Sequence, residues 1–212
     1  MSSYAVKEIF FTLQGEGFHT GRAAVFCRFA GCNLWTGREA DRAAAICSFC
    51  DTDFVGLGPD GGRFSSSGDL ADAIAARWPA EASRSRRFVV CTGGEPLLQL
   101  DAELVNSLHE RGFEVAIETN GTLLPPAGVD WICVSPKARA DLVLVNGNEL
   151  KLVYPQVGAE PERFEALAFE HFFLQPMDSA ESAENTRAAV RYCQQHPRWR
   201  LSLQTHKILG IR

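Results

Sequence analysis

The sequence lacks a hydrophobic run long enough to cross a membrane. A membrane helix needs about 18 or more consecutive apolar residues, and no stretch of the chain approaches that length. The opening residues, MSSYAVKEIF, also lack the basic start, apolar run and cleavage site of a secretory leader. We therefore expect a cytoplasmic protein that does not associate with membranes.

An excess of positive charge is also missing. The chain has 21 Lys plus Arg against 26 Asp plus Glu, a net charge of -5, whereas proteins that bind a phosphate backbone usually present a basic surface. We therefore expect no direct contact with nucleic acid. Seven cysteines are an odd and sparse set, unlike a small secreted disulfide scaffold, so we predict reduced thiols or thiols that hold metal.

The chain does contain enough apolar material for one folded domain, residues 1–212. It is 46% hydrophobic and 22% charged, which is typical of globular proteins. Short apolar runs predict seven strands, over residues 23–29, 87–91, 114–117, 130–134, 149–153, 171–174 and 200–203. Amphipathic patterns predict four helices, over residues 69–78, 101–111, 161–168 and 181–196.

Alternation of strands and helices indicates an α/β fold. The strand runs are almost continuously apolar, which is typical of parallel strands buried on both faces. A complete eight-fold barrel takes about 250 residues, so we predict an incomplete TIM-like barrel with a parallel sheet. One irregular loop, at about residues 31–68, carries three of the cysteines, and loops of that length are usually functional or mobile.

Polar segments follow six of the predicted strands. Because sites in parallel α/β folds form at the carboxyl ends of the strands, we expect these segments to meet at one mouth. They comprise the loop that starts near Cys32 and the segments Thr92–Pro96, Glu118–Gly121, Ser135–Lys137, Gln175–Asp178 and Gln204–Lys207.

The loop cysteines have the spacing of a metal centre. Two residues separate Cys47 from Cys50, and 14 residues separate Cys32 from Cys47. Three thiolates are too few for a closed four-thiolate zinc site, although His19 or a carboxylate could complete one. A 4Fe-4S cluster held by three thiolates leaves one iron free for a substrate or cofactor. Three unconnected thiols in a loop are the remaining alternative.

A glycine pair follows the second predicted strand. Gly93 and Gly94 remove side chains where something approaches the backbone closely. The adjacent Glu95 offers a carboxylate to a cation such as an amine. Taken alone, this segment is also compatible with a plain turn.

Together these motifs resemble the radical S-adenosylmethionine (SAM) superfamily. The resemblance rests on Cys32, Cys47 and Cys50, on Phe49 before the last cysteine, and on the Gly-Gly-Glu motif. The long first cysteine gap departs from most members. With the opening IFFTLQGEG, the stretch CRFAGCNLW and the segments CDTD, TGGEP, ETNG, SPK, QPMD and QTHK, the whole chain is similar to the 7-carboxy-7-deazaguanine synthase family.

The resemblance implies a lyase of 7-deazapurine (queuosine) biosynthesis, a tRNA modification pathway. A reduced cluster would cleave SAM to a 5'-deoxyadenosyl radical, which takes hydrogen from C6 of 6-carboxy-5,6,7,8-tetrahydropterin. Ring contraction and loss of ammonia would then yield 7-carboxy-7-deazaguanine. The protein would orient the cofactor and exclude water.

The resemblance also implies roles for individual residues. Cys32, Cys47 and Cys50 would hold the 4Fe-4S cluster, and Thr52 would hold Mg²⁺. The residues implied for SAM binding are Phe49, Asp51, Gly93, Gly94, Glu95, Ser135, Pro136, Lys137, Gln175, Pro176, Met177 and Asp178. Those implied for pterin binding are Leu13, Gln14, Gly15, Glu16, Arg28, Thr92, Glu118, His206 and Arg212.

Within the pterin set, Arg28 can form a fork to a carboxylate and Glu118 can accept paired N–H bonds. The resemblance further implies a reductant such as flavodoxin or ferredoxin and a homodimer. Two alternatives stay open at this point. One is an activating enzyme that makes a glycyl radical on a partner protein, and the other is a zinc-binding module without catalysis.

Overall fold

The computed structural model describes residues 3–82 and 86–212. In this part of the chain nine strands form one sheet: β1 Tyr4–Leu13, β2 Ala23–Phe29, β3 Gly62–Phe64, β4 Arg87–Gly93, β5 Phe113–Thr119, β6 Trp131–Val134, β7 Asn146–Tyr154, β8 Ala168–Pro176 and β9 Trp199–Leu201. Their order across the sheet is β3-β1-β2-β4-β5-β6-β7-β8-β9.

The sheet is parallel from β2 to β9, and only its first edge is antiparallel, where β1 pairs with β2 and β3. The edge strands β3 and β9 do not pair with each other, so the barrel is open. The predicted α/β fold with an incomplete parallel barrel is confirmed. All seven predicted strands are present, as β2 and β4 to β9.

Two strands were missed, and both belong to the antiparallel edge. In β1 the register shifts between Val6 and Glu8, so the alternation of buried and exposed residues is interrupted there. The strand β3 has only three residues, too few to give a periodic pattern. Neither strand could be recognised from hydrophobic periodicity.

The helices are α1 Ser67–Ala75, α2 Ala102–Glu110, α3 Ser182–Gln195 and α4 Thr205–Leu209. Ser66 caps α1 by accepting a bond from the Asp69 N–H, and Asp101 caps α2 by accepting from Leu104 at 2.9 Å. The predicted helices near α1, α2 and α3 are confirmed with shifted ends, while the short α4 was not predicted.

The predicted helix over residues 161–168 is wrong. Only a 3-10 turn forms there, at Pro161–Arg163, because β8 already begins at Ala168, paired with Asn146 of β7. The residues left between the turn and the strand are too few for an α-helix that could pack independently.

Two apolar clusters cover the outer face of the sheet. The helices α1 and α2 pack on β1, β2, β4 and β5, and α3 packs on β7, β8 and β9. A separate small cluster supports the long loop, where Trp35, Ala45 and Phe54 are buried against Cys32 and Cys50. On the inner face, Ala24, Phe88, Val90 and Ala116 form a further buried apolar cluster, while other residues of that face line a cavity.

Among the described residues, no helix combines the length and the apolar character that crossing a bilayer requires.

Candidate active site

A cavity of about 370 Å³ opens at the carboxyl ends of the parallel strands. Its wall brings together nearly all of the predicted site residues: Leu13, Gln14, Gly15, Glu16, Arg28, Cys32, Cys47, Phe49, Cys50, Asp51, Thr52, Thr92, Gly93, Gly94, Glu118, Ser135, Lys137, Gln175, Pro176, Met177, Asp178, His206 and Arg212. Glu95 and Pro136 are the predicted residues that lie behind this wall.

The three loop cysteines share one end of the cavity. Cys47 is buried, while Cys32 and Cys50 are partly exposed, and all three are free thiols. The Leu34 N–H points at the Cys32 sulfur at 3.4 Å, an arrangement that suits a thiolate. Apolar side chains beneath the loop shield this end from water.

A hydrogen bond between Cys47 and Cys50 shifts the pKa values of the two thiols in opposite directions. The hydrogen bond from Cys47 lowers the pKa of Cys50 to about 6, and the same bond raises the pKa of Cys47. The Lys137 ammonium favours the thiolate form of both. Cys50 is therefore the sulfur most ready to bind metal as a thiolate.

The thiols do not converge on a single point. Within residues 3–82 and 86–212, no three His, Cys, Asp or Glu side chains are grouped so that they could hold one metal ion. A cluster in which three irons each take one thiolate does not require such convergence. The donor set of three cysteines at a shielded cavity end fits a 4Fe-4S cluster.

The glycine pair after β4 makes room for the cysteine loop. A Cβ on Gly94 would lie 2.3 Å from the Gly31 carbonyl oxygen and 2.5 Å from the Cys32 Cβ, and one on Gly93 would lie 2.4 Å from the Phe29 carbonyl oxygen. The sequence predicted that something approaches the backbone of Gly93 and Gly94 closely, and the structure shows that the cysteine loop of the same chain does so. This approach holds Cys32 against the end of β4.

The Glu95 side chain is fully buried and used internally. Its carboxylate accepts bonds from the Thr119 hydroxyl and the Asn120 N–H, both at 2.8 Å, and from the Leu97 N–H at 3.0 Å. Burial raises its pKa, although these bonds oppose the rise. The carboxylate ties β4 to β5 directly behind the cavity wall.

Lys137 lines the cavity close to Cys47 and Cys50. Its ammonium donates to the carbonyl and hydroxyl oxygens of Ser135, at 2.5 and 2.8 Å. Burial lowers the pKa of Lys137, and the nearby thiols and Glu95 oppose this. Pro136 is buried, and its carbonyl accepts a bond from Gln156.

The opposite end of the cavity is charged. The Lys151 ammonium lies 2.6 Å from Glu16 and 3.5 Å from Glu118, and Gln14 donates to Glu118 at 2.9 Å. Burial would raise the pKa of Glu16, but the charge and hydrogen bond of Lys151 bring it to about 2. This end offers the carboxylate oxygens of Glu16 and Glu118 to a ligand with N–H donors.

A chain of ion pairs closes one side of this charged end. The Nε of Arg28 donates to Glu8 at 2.8 Å, and the other Glu8 oxygen accepts from Arg212 at 2.6 Å. Arg212 also reaches Asp60 at 2.9 Å. Arg28 therefore uses one edge of its guanidinium within the protein.

The short helix α4 fastens the other side. His206 packs on Gly15, where an added Cβ would lie 2.2 Å from the imidazole Nδ1. Lys207 bridges Asp51 of the cysteine loop at 2.7 Å and Asp178 after β8 at 2.5 Å.

Several of these residues had no role predicted from the sequence. Lys151 could have been noticed as a lysine inside the apolar run ELKLV, since buried lysines are rare unless paired. Lys207 and Gln204 stand in the quoted QTHK segment, but nothing in sequence marked their partners. Glu8 directly precedes the quoted segment IFFTLQGEG and Asp60 lies outside every quoted motif, and no sequence signal indicated that either one belongs to the site.

The comparisons with known proteins found full-length relatives. No family model matches the chain. The 7-carboxy-7-deazaguanine synthase of Bradyrhizobium diazoefficiens is 67% identical over 211 residues, covering 99% of this chain and 100% of that protein. The protein of the same name from Bordetella pertussis is 66% identical, and the coverage is 99% of both chains.

A solved structure agrees with these relatives. The crystal structure of QueE from Escherichia coli matches with a TM-score of 0.71 at 29% identity, and the match covers 95% of this chain and 93% of that one. The two relatives that are 67% and 66% identical match this chain over 99% of its length. The chain therefore belongs to the 7-carboxy-7-deazaguanine synthase family.

Proposed function

We propose that this chain is a radical SAM lyase that converts 6-carboxy-5,6,7,8-tetrahydropterin to 7-carboxy-7-deazaguanine with loss of ammonia. The observation that carries the proposal is the 67% identity, over the full length, to a relative with that synthase name. A cavity with three thiols at one end and ionised carboxylates at the other supports it. The product would enter 7-deazapurine biosynthesis.

For the cofactors, we propose that Cys32, Cys47 and Cys50 hold a 4Fe-4S cluster with one iron open to SAM. When both are bound and the cluster is reduced, the cluster and SAM together would supply the radical that takes a hydrogen atom from the substrate. The apolar packing under the loop supports this assignment, because it covers the side of Cys32 and Cys50 that faces Trp35, Ala45 and Phe54.

For SAM, we propose two groups of contacts. The open backbone of Gly93 and Gly94 and the Lys137 ammonium would bind the amino-acid part, since they flank the cysteines. Phe49, Asp51, Ser135 and the segment Gln175–Asp178 would bind the nucleoside. Pro136 would act by placing Ser135 and Lys137, and Glu95 would act from behind the wall, by fixing the end of β4.

For the pterin, we propose that Glu118 and Glu16 accept N–H bonds while the free edge of Arg28 takes the carboxylate. Charge supports this division, because the pterin's amino-pyrimidinone ring donates N–H groups and its C6 substituent is anionic. Leu13, Gln14, Gly15, Thr92, His206 and Arg212 complete the pterin pocket.

For the hard cation, we propose Mg²⁺ at Thr52, a residue of the cavity wall whose hydroxyl would be the ligand. One protein ligand is enough only if water and the substrate carboxylate fill the other positions, as Mg²⁺ commonly allows.

We further propose a single domain over residues 1–212, a cytoplasmic location, a flavodoxin or ferredoxin as reductant, and a homodimer. The continuous sheet supports the first of these proposals. All seven cysteines are free thiols, which supports a reducing compartment.

One anaerobic assay tests the function. Reconstituted protein is mixed with 6-carboxy-5,6,7,8-tetrahydropterin, SAM and a reductant, and the product is identified by mass. We expect 7-carboxy-7-deazaguanine and one ammonia for each turnover. Protein that carries the cluster and cleaves SAM but leaves this pterin unchanged would refute the proposal, and colourless, zinc-loaded protein would favour a zinc module.

A further inference from the structure

Lys151 is an uncommon residue at its position. It lies in the middle of β7 and is 4% exposed. Its neighbours Leu150 and Leu152 are fully buried in the outer core, so strand alternation directs Lys151 to the inner face of the barrel. A lysine so deeply buried is rare unless its charge is paired.

Two carboxylates from separate elements meet this ammonium. Glu16, on the loop after β1, lies 2.6 Å away, and Glu118, on β5, lies 3.5 Å away. Each carboxylate also accepts a hydrogen bond from a glutamine side chain: Gln204 donates to Glu16 at 3.0 Å, and Gln14 donates to Glu118 at 2.9 Å. The ammonium therefore sets the spacing of both carboxylates.

Other titratable groups facing this cluster are Glu149 on β7, Cys133 on β6, Lys137 after β6 and His206 on α4. Burial raises the pKa of Glu149, and burial also raises the pKa of Cys133. Neither group can therefore readily replace Glu16 or Glu118 as an ionised acceptor.

Charge balance depends on the lysine. Two carboxylates that share a buried site repel each other, and one of them tends to retain a proton. Burial disfavours the charged form of Lys151, yet Glu118 and Glu16 hold its pKa well above the usual value. Without this cation the pair would lose the opposite charge between its members, and we expect the pair to retain a proton to higher pH.

We propose that Lys151 is a positioning residue for the pterin, whose ammonium keeps Glu16 and Glu118 both ionised and aimed at the N–H edge of the substrate. This inference rests on the proposed function. It assigns to a residue outside every quoted motif the task of keeping the acceptor pair intact.

The test measures pterin affinity against pH. Wild-type holoenzyme and Lys151→Met are dialysed anaerobically against 6-carboxy-5,6,7,8-tetrahydropterin from about pH 6 to pH 9, across the range in which a raised carboxyl pKa would titrate. We expect a Kd about tenfold or more higher for the variant at the acidic end, the cost of an impaired charged hydrogen bond. The ratio of the two Kd values should shrink as pH rises, because the retained proton is lost. Titration of the pterin itself cancels in this ratio.

Two further variants separate charge balance from simple packing. Lys151→Met with Glu16→Gln removes one charge of each sign, and its Kd ratio to wild type should be independent of pH and smaller than that of Lys151→Met at the acidic end. Lys151→Arg keeps the cation, so the ratio of its Kd to that of wild type should not depend on pH. This variant keeps the proposal testable if Lys151→Met fails to fold. Arg187→Met removes one exposed cation from α3 and is the matched control, with a ratio near one.

Each outcome decides the matter. A Kd ratio for Lys151→Met that does not vary with pH, or a double variant as weak as the single one, would overturn the positioning role. Wild-type protein that binds no pterin at any pH would instead overturn the proposed function. Wild-type protein that binds pterin while Lys151→Met binds equally well would overturn only the role of Lys151.

Discussion

The Lys207 ammonium lies 2.7 Å from the carboxylate of Asp51. Because it also lies 2.5 Å from Asp178, one side chain of α4 connects the cysteine loop to the segment after β8. Both carboxylates belong to the part of the wall proposed to bind SAM. The two ion pairs close that wall from the outside.

Replacing Lys207 by Met should therefore weaken SAM binding. The side chain is 40% exposed, so each ion pair contributes modestly, and we expect the Kd for SAM to rise about threefold to tenfold. The wild-type affinity should fall more steeply with added salt than that of the variant, since salt screens exposed pairs. Isothermal titration of the holoenzyme at two salt concentrations measures both effects, and identical salt slopes would contradict the prediction.

Cys47→Ala should prevent cluster assembly and SAM cleavage while the fold survives. Cys47 is buried in the loop rather than in the sheet core, and its sulfur is one of the three proposed ligands. Iron and sulfide content, deoxyadenosine production and circular dichroism check this prediction. Cys193→Ala, on α3 outside the cavity wall, is the control. Deoxyadenosine formation by Cys47→Ala at the wild-type rate would exclude Cys47 as a ligand.

Glu95→Gln should lower stability. The amide has one acceptor oxygen for donors that now bond to both carboxylate oxygens, and a buried unsatisfied group costs about 1 to 3 kcal/mol. Urea unfolding measures the loss, with the exposed Glu110→Gln on α2 as the control. If stability were unchanged and SAM affinity fell, the Glu95 carboxylate would contact the cofactor directly.

Glu16→Gln should destabilise the protein in a manner that depends on pH. The pKa of Glu16 is lowered from 4.5 to about 2 in the folded chain, so its stabilising effect is complete above about pH 4.5 and is lost as pH falls toward 2. The shift corresponds to roughly 3 kcal/mol.

Unfolding free energies of wild type and Glu16→Gln, compared at several pH values, check this prediction. Their difference should be constant near neutral pH and shrink on acidification below the unfolded pKa. The exposed Glu184→Gln on α3 is the control. A difference that grew in acid would have the wrong sign and would exclude an ionised Glu16 paired with Lys151.

Much of the parallel sheet was predictable because each of its strands is buried on both faces and appears as an apolar run. The antiparallel edge was not, since β1 contains a register shift and β3 is only three residues long. The helix expected over residues 161–168 failed for a tertiary reason, the pairing of Ala168 with β7.

The candidate site was predictable to the extent that strand ends meet at one edge. This rule and the motifs brought the cysteines and the pocket residues to one cavity. The same rule could not separate Gly94, on the wall, from Glu95, behind it. Facing directions at a strand end depend on local turns and packing, which short motifs do not specify.

The sequence by itself determined the fold class, the three-cysteine loop and the family, because these depend on local patterns and on residue identity along the chain. Only the tertiary structure decided which charges meet: Lys151 with Glu16 and Glu118, Lys207 with Asp51 and Asp178. Such pairs join residues distant in sequence, and their strength depends on burial and on distances of a few ångströms. Those quantities exist only once the chain has folded.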